Sequence, residues 1–378
     1  MLDVLIVGGG PVGLYLGCLL AARGMNFQVL ERRLAPGSHS RAIGIHPPSL
    51  EAFARLNLSQ PLLDAGVRMT GGIVRSQRGL LGELSFQGAS SAFPFILSLP
   101  QQQTEQILEG RLSALAPGAL HRGVEVQAFR DEGSHVSVTA RTEGQTRTLQ
   151  ARFLVGADGR RSLVRHLAGI TYPGGTYPDK YLMGDFPDTT AFRQAAVLYL
   201  AEAGVVESFP LPAGLRRWVV RTDTLLHGEA PAELTTLVRQ RTGLYLPAGE
   251  CHMLSAFEVR HHAARNMVRG RVLLIGDAAH EVSPIGGQGM NLGWLDADAL
   301  APLLQEAAQD SLAAGRMGIY ERKRQRAARL ATRQAELNML FGRPGRGFAR
   351  QAREQLLRGL LASPAQPALA RAFTMRWL

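Results

Sequence analysis

Lysine is almost missing from this chain. Of its 42 basic residues only Lys180 and Lys323 are lysine, and arginine supplies the other 40. So uniform a bias reflects coding composition as readily as function, and the net charge of +11 is not by itself a nucleic-acid signal. Zinc-finger spacing, an RNA-binding aromatic signature and a heptad seam are all absent, so no nucleic-acid partner is expected. Cysteine is as scarce. Cys18 and Cys251 stand 233 positions apart, which excludes a disulfide scaffold and a cysteine-based metal site. No apolar run approaches the ~20 residues of a membrane-spanning helix. Asp3 stands where a signal peptide would carry its basic start, so a reducing, cytoplasmic setting is the default expectation.

What is present suffices for a large core. The 378 residues are 46% hydrophobic and 19% charged, enough for two or three domains of about 150 residues each. Residues 303–378 hold 14 Arg and Lys against five Asp and Glu. This excess reads first as solvated helix faces and second as a polyanion or acidic-membrane surface.

The first 31 residues carry the clearest local pattern. Leu2 to Val7 is a short β-branched run suited to a central parallel strand, and Gly8-Gly9-Gly10-Pro11-Val12-Gly13 follows at once. Leu14 to Arg23 has the length and apolar density of a packed helix closed by Gly24, and Phe27 to Leu30 predicts a second strand ending at Glu31. Strand, Gly-x-Gly-x-x-Gly, helix, strand and acid in that order are a dinucleotide-binding unit. Gly8 permits the tight turn, Gly10 lets a pyrophosphate approach the backbone, and Gly13 lets helix and strand pack closely. The helix start offers unpaired N–H donors to the phosphates, and Glu31 accepts from a ribose hydroxyl.

The middle of the chain changes character. Gly71 to Leu99 and Tyr181 to Asp223 read as antiparallel strands, Gln103 to Leu115 as an amphipathic helix, and Val124 to Ala140 as a hairpin turning at Glu132-Gly133. Buried strands at Phe153 to Gly156 and Arg271 to Ile275 lead into Asp158-Gly159 and Gly276-Asp277. From Asn291 onward the sequence is helical, with a break at Gly342 to Gly347. The expected fold class is α/β. Residues 1–70, 100–170 and 265–378 form a Rossmann-like domain with C-terminal helices, and residues 71–99 and 171–264 insert a mostly antiparallel sheet.

Three motifs, Gly8 to Gly13, Asp158-Gly159-Arg160-Arg161-Ser162-Leu163-Val164-Arg165 and Gly276-Asp277-Ala278-Ala279-His280, each follow a buried strand. With Ser40-Arg41-Ala42-Ile43-Gly44-Ile45-His46-Pro47, Pro100-Gln101 to Thr104-Glu105 and Pro284 to Asn291, they resemble the FAD-dependent aromatic hydroxylases of the para-hydroxybenzoate hydroxylase fold over roughly residues 1–325. The resemblance implies non-covalent FAD, with NADH or NADPH as a transient co-substrate. It also implies oxygen transfer from O2 to a small aromatic or polyketide-like substrate through a flavin C4a-hydroperoxide, with residues 71–99 and 171–264 as the substrate domain. Pro11 and Val12 would join the three fingerprint glycines at the cofactor. Glu31 would hold the adenosine ribose and Arg32 lie beside the adenine. Arg41 and Gln101 would reach the phosphates and ribityl chain, and Asp277 the ribityl or pyrophosphate region. Pro284, Gly287, Gly289, Met290 and Asn291 would face the isoalloxazine, and Asp158 would help position FAD and nicotinamide.

Other readings remain beside it. Asp158 with Ser162 also reads as an Asp-Gly turn and a helix cap. His280 reads first as a structural, hydrogen-bonded residue, and no catalytic residue or metal ligand is assigned. Phe209, Pro210 and Trp218 are packing residues that could also line a substrate pocket. Gly287-x-Gly289-x-x-x-Gly293 imitates a phosphate loop but does not leave a strand directly. A halogenase, a flavin-dependent reductase on the same fold, or a non-catalytic flavin-binding redox sensor are the alternatives. The halogenase Trp-x-Trp-x-Ile-Pro segment is absent. Oligomeric state, and the choice between NADH and NADPH, are not legible.

Overall fold

The computed structural model describes residues 1–37, 42–226, 230–309 and 314–377. The Leu2–Val7 strand is apolar enough to be buried on both sides, and its neighbours are parallel, as such strands require. It pairs with Phe27–Glu31 on one side and with the end of Gln145–Gly156 on the other. Val272–Leu274 extends the sheet beyond Gln145–Gly156, and Leu120–Arg122 extends it beyond Phe27–Glu31. A hairpin, Val124–Asp131 and Val136–Thr142, attaches to the long Gln145–Gly156 strand in antiparallel fashion. Its turn closes where the Glu132 N–H donates to the His135 carbonyl.

Register explains how distant motifs meet. Val7 lies opposite Gly156, and Gly156 opposite Leu274. The three strands therefore end level, and Gly8, Ala157-Asp158 and Gly276-Asp277 emerge side by side at one sheet edge. The helices Pro11–Ala21, Gln101–Leu115 and Gln288–Gln309 pack behind that edge. Pro11 opens the first of them, its fixed φ suiting a first helical position.

A second eight-stranded sheet runs in the order His280–Glu281, Met253–Ala263, Gly174–Pro187, Leu215–Thr222, Gly204–Leu211, Ala196–Ala201, Gly71–Ser76, Gly79–Ser85. Its pairings are antiparallel except that Ala196–Ala201 and Gly71–Ser76 run parallel. An antiparallel reading of the two segments assumed hairpin partners, but these strands arrive from opposite ends of a long excursion and no short turn dictates their direction. Ile96–Ser98 also leaves this sheet, pairing with Gly44–Ile45 and Val67–Met69 in a separate three-stranded one.

The two faces of the second sheet bury different partners. Leu182, Phe186, Trp218 and Val220 pack with Leu234 and Val238 of the Pro231–Thr242 helix. On the other face Tyr181, Met183, Val219 and Phe257 cluster with Met339 and Leu357. The latter two come from the C-terminal helices Ala314–Gly342 and Gly347–Ala362, which precede Gln366–Phe373. Buried Asp179 accepts from Arg221 and Arg343, fastening the end of the long helix to the sheet. No helix among the described residues is long and apolar enough to cross a membrane.

Candidate active site

Between the parallel sheet's edge, the second sheet and the C-terminal helices lies a cavity of about 960 Å³. One end is lined by Gly8, Gly10, Pro11, Val12, Glu31, Arg32, Gln101, Asp158 and Asp277, and its waist by Pro284, Gly287, Gly289 and Met290. Arg41 lies outside the described residues.

At the first end the backbone sets the shape. Gly8 has φ +112°, and a Cβ there would stand 2.3 Å from the Ala157 carbonyl oxygen. A Cβ on Gly13 would stand 1.9 Å from the Gly8 oxygen, so helix and strand meet only because Gly13 has none. Gly10 differs: a Cβ there meets nothing within 4 Å, because the space before it is cavity. Among the described residues no side chain caps the Pro11–Ala21 helix, so its first-turn N–H groups stay available to an anion.

The carboxylates around this end are in three different states. Glu31 accepts from the Gly9 N–H at 2.8 Å, the Arg33 N–H at 2.9 Å and Arg33 Nε at 3.1 Å. Burial opposes its ionisation, but these bonds outweigh burial and hold its carboxyl below the usual range. Asp158 is occupied by its own turn: Ser162 Oγ donates to Oδ1 at 2.5 Å and the Val164 N–H to Oδ2 at 3.1 Å. Ser162 in turn caps the following helix, accepting from the Arg165 N–H at 3.0 Å. Asp158 thus orders its loop, the turn-and-cap reading, and also lines the cavity. Asp277 is exposed on the cavity side, and no described residue donates a hydrogen bond to its carboxylate. Burial, reinforced by nearby Glu281, pushes it up to about 6 despite His280 and Arg160.

Around the waist the side chains hold the backbone in place. Asn291 is fully buried; its Nδ2 donates to the Gly44 and Gly287 carbonyls at 2.9 and 2.8 Å, and its Oδ1 accepts from the His46 N–H at 2.9 Å. Its side-chain hydrogen bonds are directed inward and it does not line the cavity, so this side chain holds the loop in place. A Cβ on Gly293 would stand 2.5 Å from Val12 Cγ2, so that glycine seats the Gln288–Gln309 helix on the first helix. Gln101 lines the cavity with its Nε2 donating to Glu105 Oε1 at 2.8 Å. His280 Nε2 bonds buried Asp296 Oδ2 at 2.6 Å, a structural role, and Asp296 also accepts from the Gly276 N–H and Arg324 Nε. Asp296 thereby anchors the Gly-Asp loop. The signal for it was an acid inside the apolar run Trp294-Leu295-Asp296-Ala297. Among the described residues no group of His, Cys, Asp or Glu is arranged to hold a metal.

The far end is an apolar chamber. Phe209 lines it, but Pro210 and Trp218 do not. Strand alternation is the reason: Phe209 pairs with Arg217, whereas Trp218 pairs with Ser208 and turns to the opposite face. The Pro210 carbonyl accepts from Ser98 Oγ at 2.6 Å. Sequence reasoning missed Leu337, Phe341, Leu357 and Phe373 from the C-terminal helices, and the sheet residues Tyr181, Glu207 and Phe257, all of which line the chamber. It also missed His46, which lines the cavity and whose burial lowers it to about 4, keeping the ring neutral. Glu207 is pushed up to about 7 by burial alone.

An open space at Gly10, an uncapped helix start, an ionised Glu31 and a cavity-facing Asp277 fit the pyrophosphate, ribose and ribityl groups of FAD. The comparisons with known proteins agree. A model of the FAD binding domain family matches residues 1–335. An uncharacterized aromatic compound monooxygenase of Bacillus subtilis is 31% identical over 344 residues, covering 88% of this chain and 67% of that protein. The rifampicin monooxygenase of Streptomyces venezuelae is 30% identical over 370 residues, covering 94% and 75%. The crystal structure of p-nitrophenol 4-monooxygenase from Pseudomonas putida superposes with a TM-score of 0.90 at 22% identity, over 99% of this chain and 96% of that one, and speaks for the fold. The chain belongs to the FAD-binding aromatic monooxygenase family.

Proposed function

We propose that this protein hydroxylates an aromatic or polyketide-like small molecule, using NADH or NADPH and O2. The observation that carries the reading is one cavity lined at one end by the glycine turn, Glu31 and Asp277 and at the other by apolar side chains. When bound, FAD would supply the redox chemistry by which two electrons from NAD(P)H and O2 give a hydroxylated ring, the second oxygen atom leaving as water.

The chain's own residues bind, orient and exclude water. Gly10 and the first-turn N–H groups receive the pyrophosphate, Glu31 a ribose hydroxyl, and Asp277 a ribityl hydroxyl. The start of the Gln288–Gln309 helix, presenting Gly289 and Met290 to the cavity, carries a partial positive charge suited to the anionic ring of a reduced flavin. Tyr181, Phe209, Val219 and Phe257 form a largely apolar wall that keeps a flat ring in place and bulk water away. The dinucleotide turn occurs once, so the nicotinamide cofactor is read as a transient visitor.

A screen of phenols, quinones and polyketides for stimulated NAD(P)H oxidation, oxygen uptake and a hydroxylated product tests the reading. Stimulated oxidation with product supports it. Protein that cannot be reconstituted with FAD, or a reduction of substrate without oxygen uptake, contradicts it.

A further inference from the structure

We propose that Glu207 sets the substrate class of the apolar chamber: its carboxylate accepts a hydrogen bond from a neutral hydroxyaromatic and turns aromatic carboxylates away. The inference rests on the reading above only in taking the ligand to be an aromatic ring.

Glu207 lies midway along Gly204–Leu211, opposite Leu198 on one neighbouring strand and Val219 on the other. It lines the cavity with Val205 and Phe209, the residues two positions to either side. No described residue offers its carboxylate a hydrogen bond or an ion pair, and burial is the sole cause of its raised pKa of about 7. A carboxyl placed in such a wall is destabilising unless something entering the cavity satisfies it.

The surrounding charges are otherwise engaged. Asp185 on Gly174–Pro187 and Arg217 on Leu215–Thr222 hold each other through two bonds of 2.7 and 2.8 Å. Asp179, Arg221 and Arg343 form a separate cluster. From Gly347–Ala362, Glu354 lies 3.8 Å from Arg350, and Arg353 donates to the Phe341 and Arg343 carbonyls. Ala196–Ala201 brings no ionisable group to the cavity. Tyr181 responds to Glu207, whose negative charge adds to burial in raising the phenol. A ligand's hydroxyl hydrogen meets an acceptor here, whereas a ligand's carboxylate meets a second negative charge in an apolar wall.

The test uses the FAD-loaded protein without NAD(P)H, following binding by perturbation of the flavin spectrum, with 1-naphthol and 1-naphthoate as probes. At about pH 8.5, where Glu207 is ionised, the wild type binds 1-naphthol at least about tenfold more tightly than 1-naphthoate. Glu207→Gln tightens 1-naphthoate about tenfold and leaves FAD affinity unchanged. Glu207→Leu, which also removes the acceptor, weakens 1-naphthol by about the same factor. In the wild type 1-naphthoate binding weakens as pH rises through about 7, and Glu207→Gln abolishes that dependence. A selectivity and pH profile unaltered by Glu207→Gln overturns the proposal, as does a wild type that binds neither probe. No turnover enters the readout. Intact selectivity without any hydroxylated product sinks only the functional reading, whereas hydroxylation with selectivity indifferent to Glu207 sinks only this inference.

Discussion

The two ends of the cavity are built on different principles. The nucleotide end is made by backbone: three strand ends brought level by register, glycines at the points of closest approach, and an uncapped helix start. The chamber end is made by side chains projecting from one face of a sheet and from helices distant in sequence. Backbone sites tolerate almost no change of residue at their contacts, whereas side-chain sites can be re-lined without disturbing the sheet. The difference shows how one scaffold can keep a cofactor and vary its substrate.

The largest effect is expected at the tightest approach. Gly13→Val places a branched side chain where even a Cβ stands 1.9 Å from the Gly8 oxygen. The variant should yield little soluble protein, and none carrying flavin absorbance. Yellow, stable Gly13→Val protein would break the claim that backbone contact shapes this end.

Next comes Trp218, which belongs to neither end of the cavity. It is fully buried against the Pro231–Thr242 helix, so Trp218→Ala should lower stability by ~3–5 kcal/mol in denaturant unfolding while leaving FAD affinity alone. Phe209→Ala, on the cavity face, should instead weaken aromatic ligand binding.

Asp277→Ala should weaken FAD binding by ~10- to 150-fold, the equivalent of a charge-assisted hydrogen bond worth ~1.5–3 kcal/mol. The apo-protein should melt no lower than wild type, because no described residue loses a hydrogen bond. A drop in apo stability with unchanged FAD affinity would instead make Asp277 a structural turn residue.

The pH dependence is a gentler form of the same test. Asp277 sits at about 6 in the free protein, and accepting a ligand hydroxyl favours its ionised form. FAD affinity should be constant above that pH and fall as pH drops through it, since the proton must then be displaced. Titrating wild type and Asp277→Asn in parallel checks this, the variant being expected to bind weakly and without the slope near pH 6.

The nucleotide end was legible in the sequence because its determinants are local. Gly8 to Gly13, Glu31 and the Gly276-Asp277 turn announce themselves within a few residues of a strand. Asp158 with Ser162 was readable too, down to the helix cap. The chamber was not. Whether Phe209 or Trp218 faces inward depends on strand parity, and parity depends on a register set by partners across the sheet. Glu207 carried no signal, because a lone acid on a strand ordinarily points to water. Leu357 and Phe373 come from helices whose docking no local pattern reveals. Asn291 stood out as part of the loop, but its contacts with Gly44, His46 and Gly287 were not legible, since they exist only after the chain closes.

The contrast between the two kinds of construction is tested most directly by measuring FAD affinity and apo-protein unfolding on Gly10→Ala beside Trp218→Ala. Gly10 has φ −82° and open space before it, so the alanine strains nothing until a pyrophosphate arrives. The expected result is a crossover. Gly10→Ala should weaken FAD binding by about tenfold or more with unchanged apo stability, and Trp218→Ala should lose stability with unchanged FAD affinity. If Gly10→Ala binds FAD like wild type, or if both variants move the same quantity, the pyrophosphate does not lie against that glycine and the cofactor end has been misplaced.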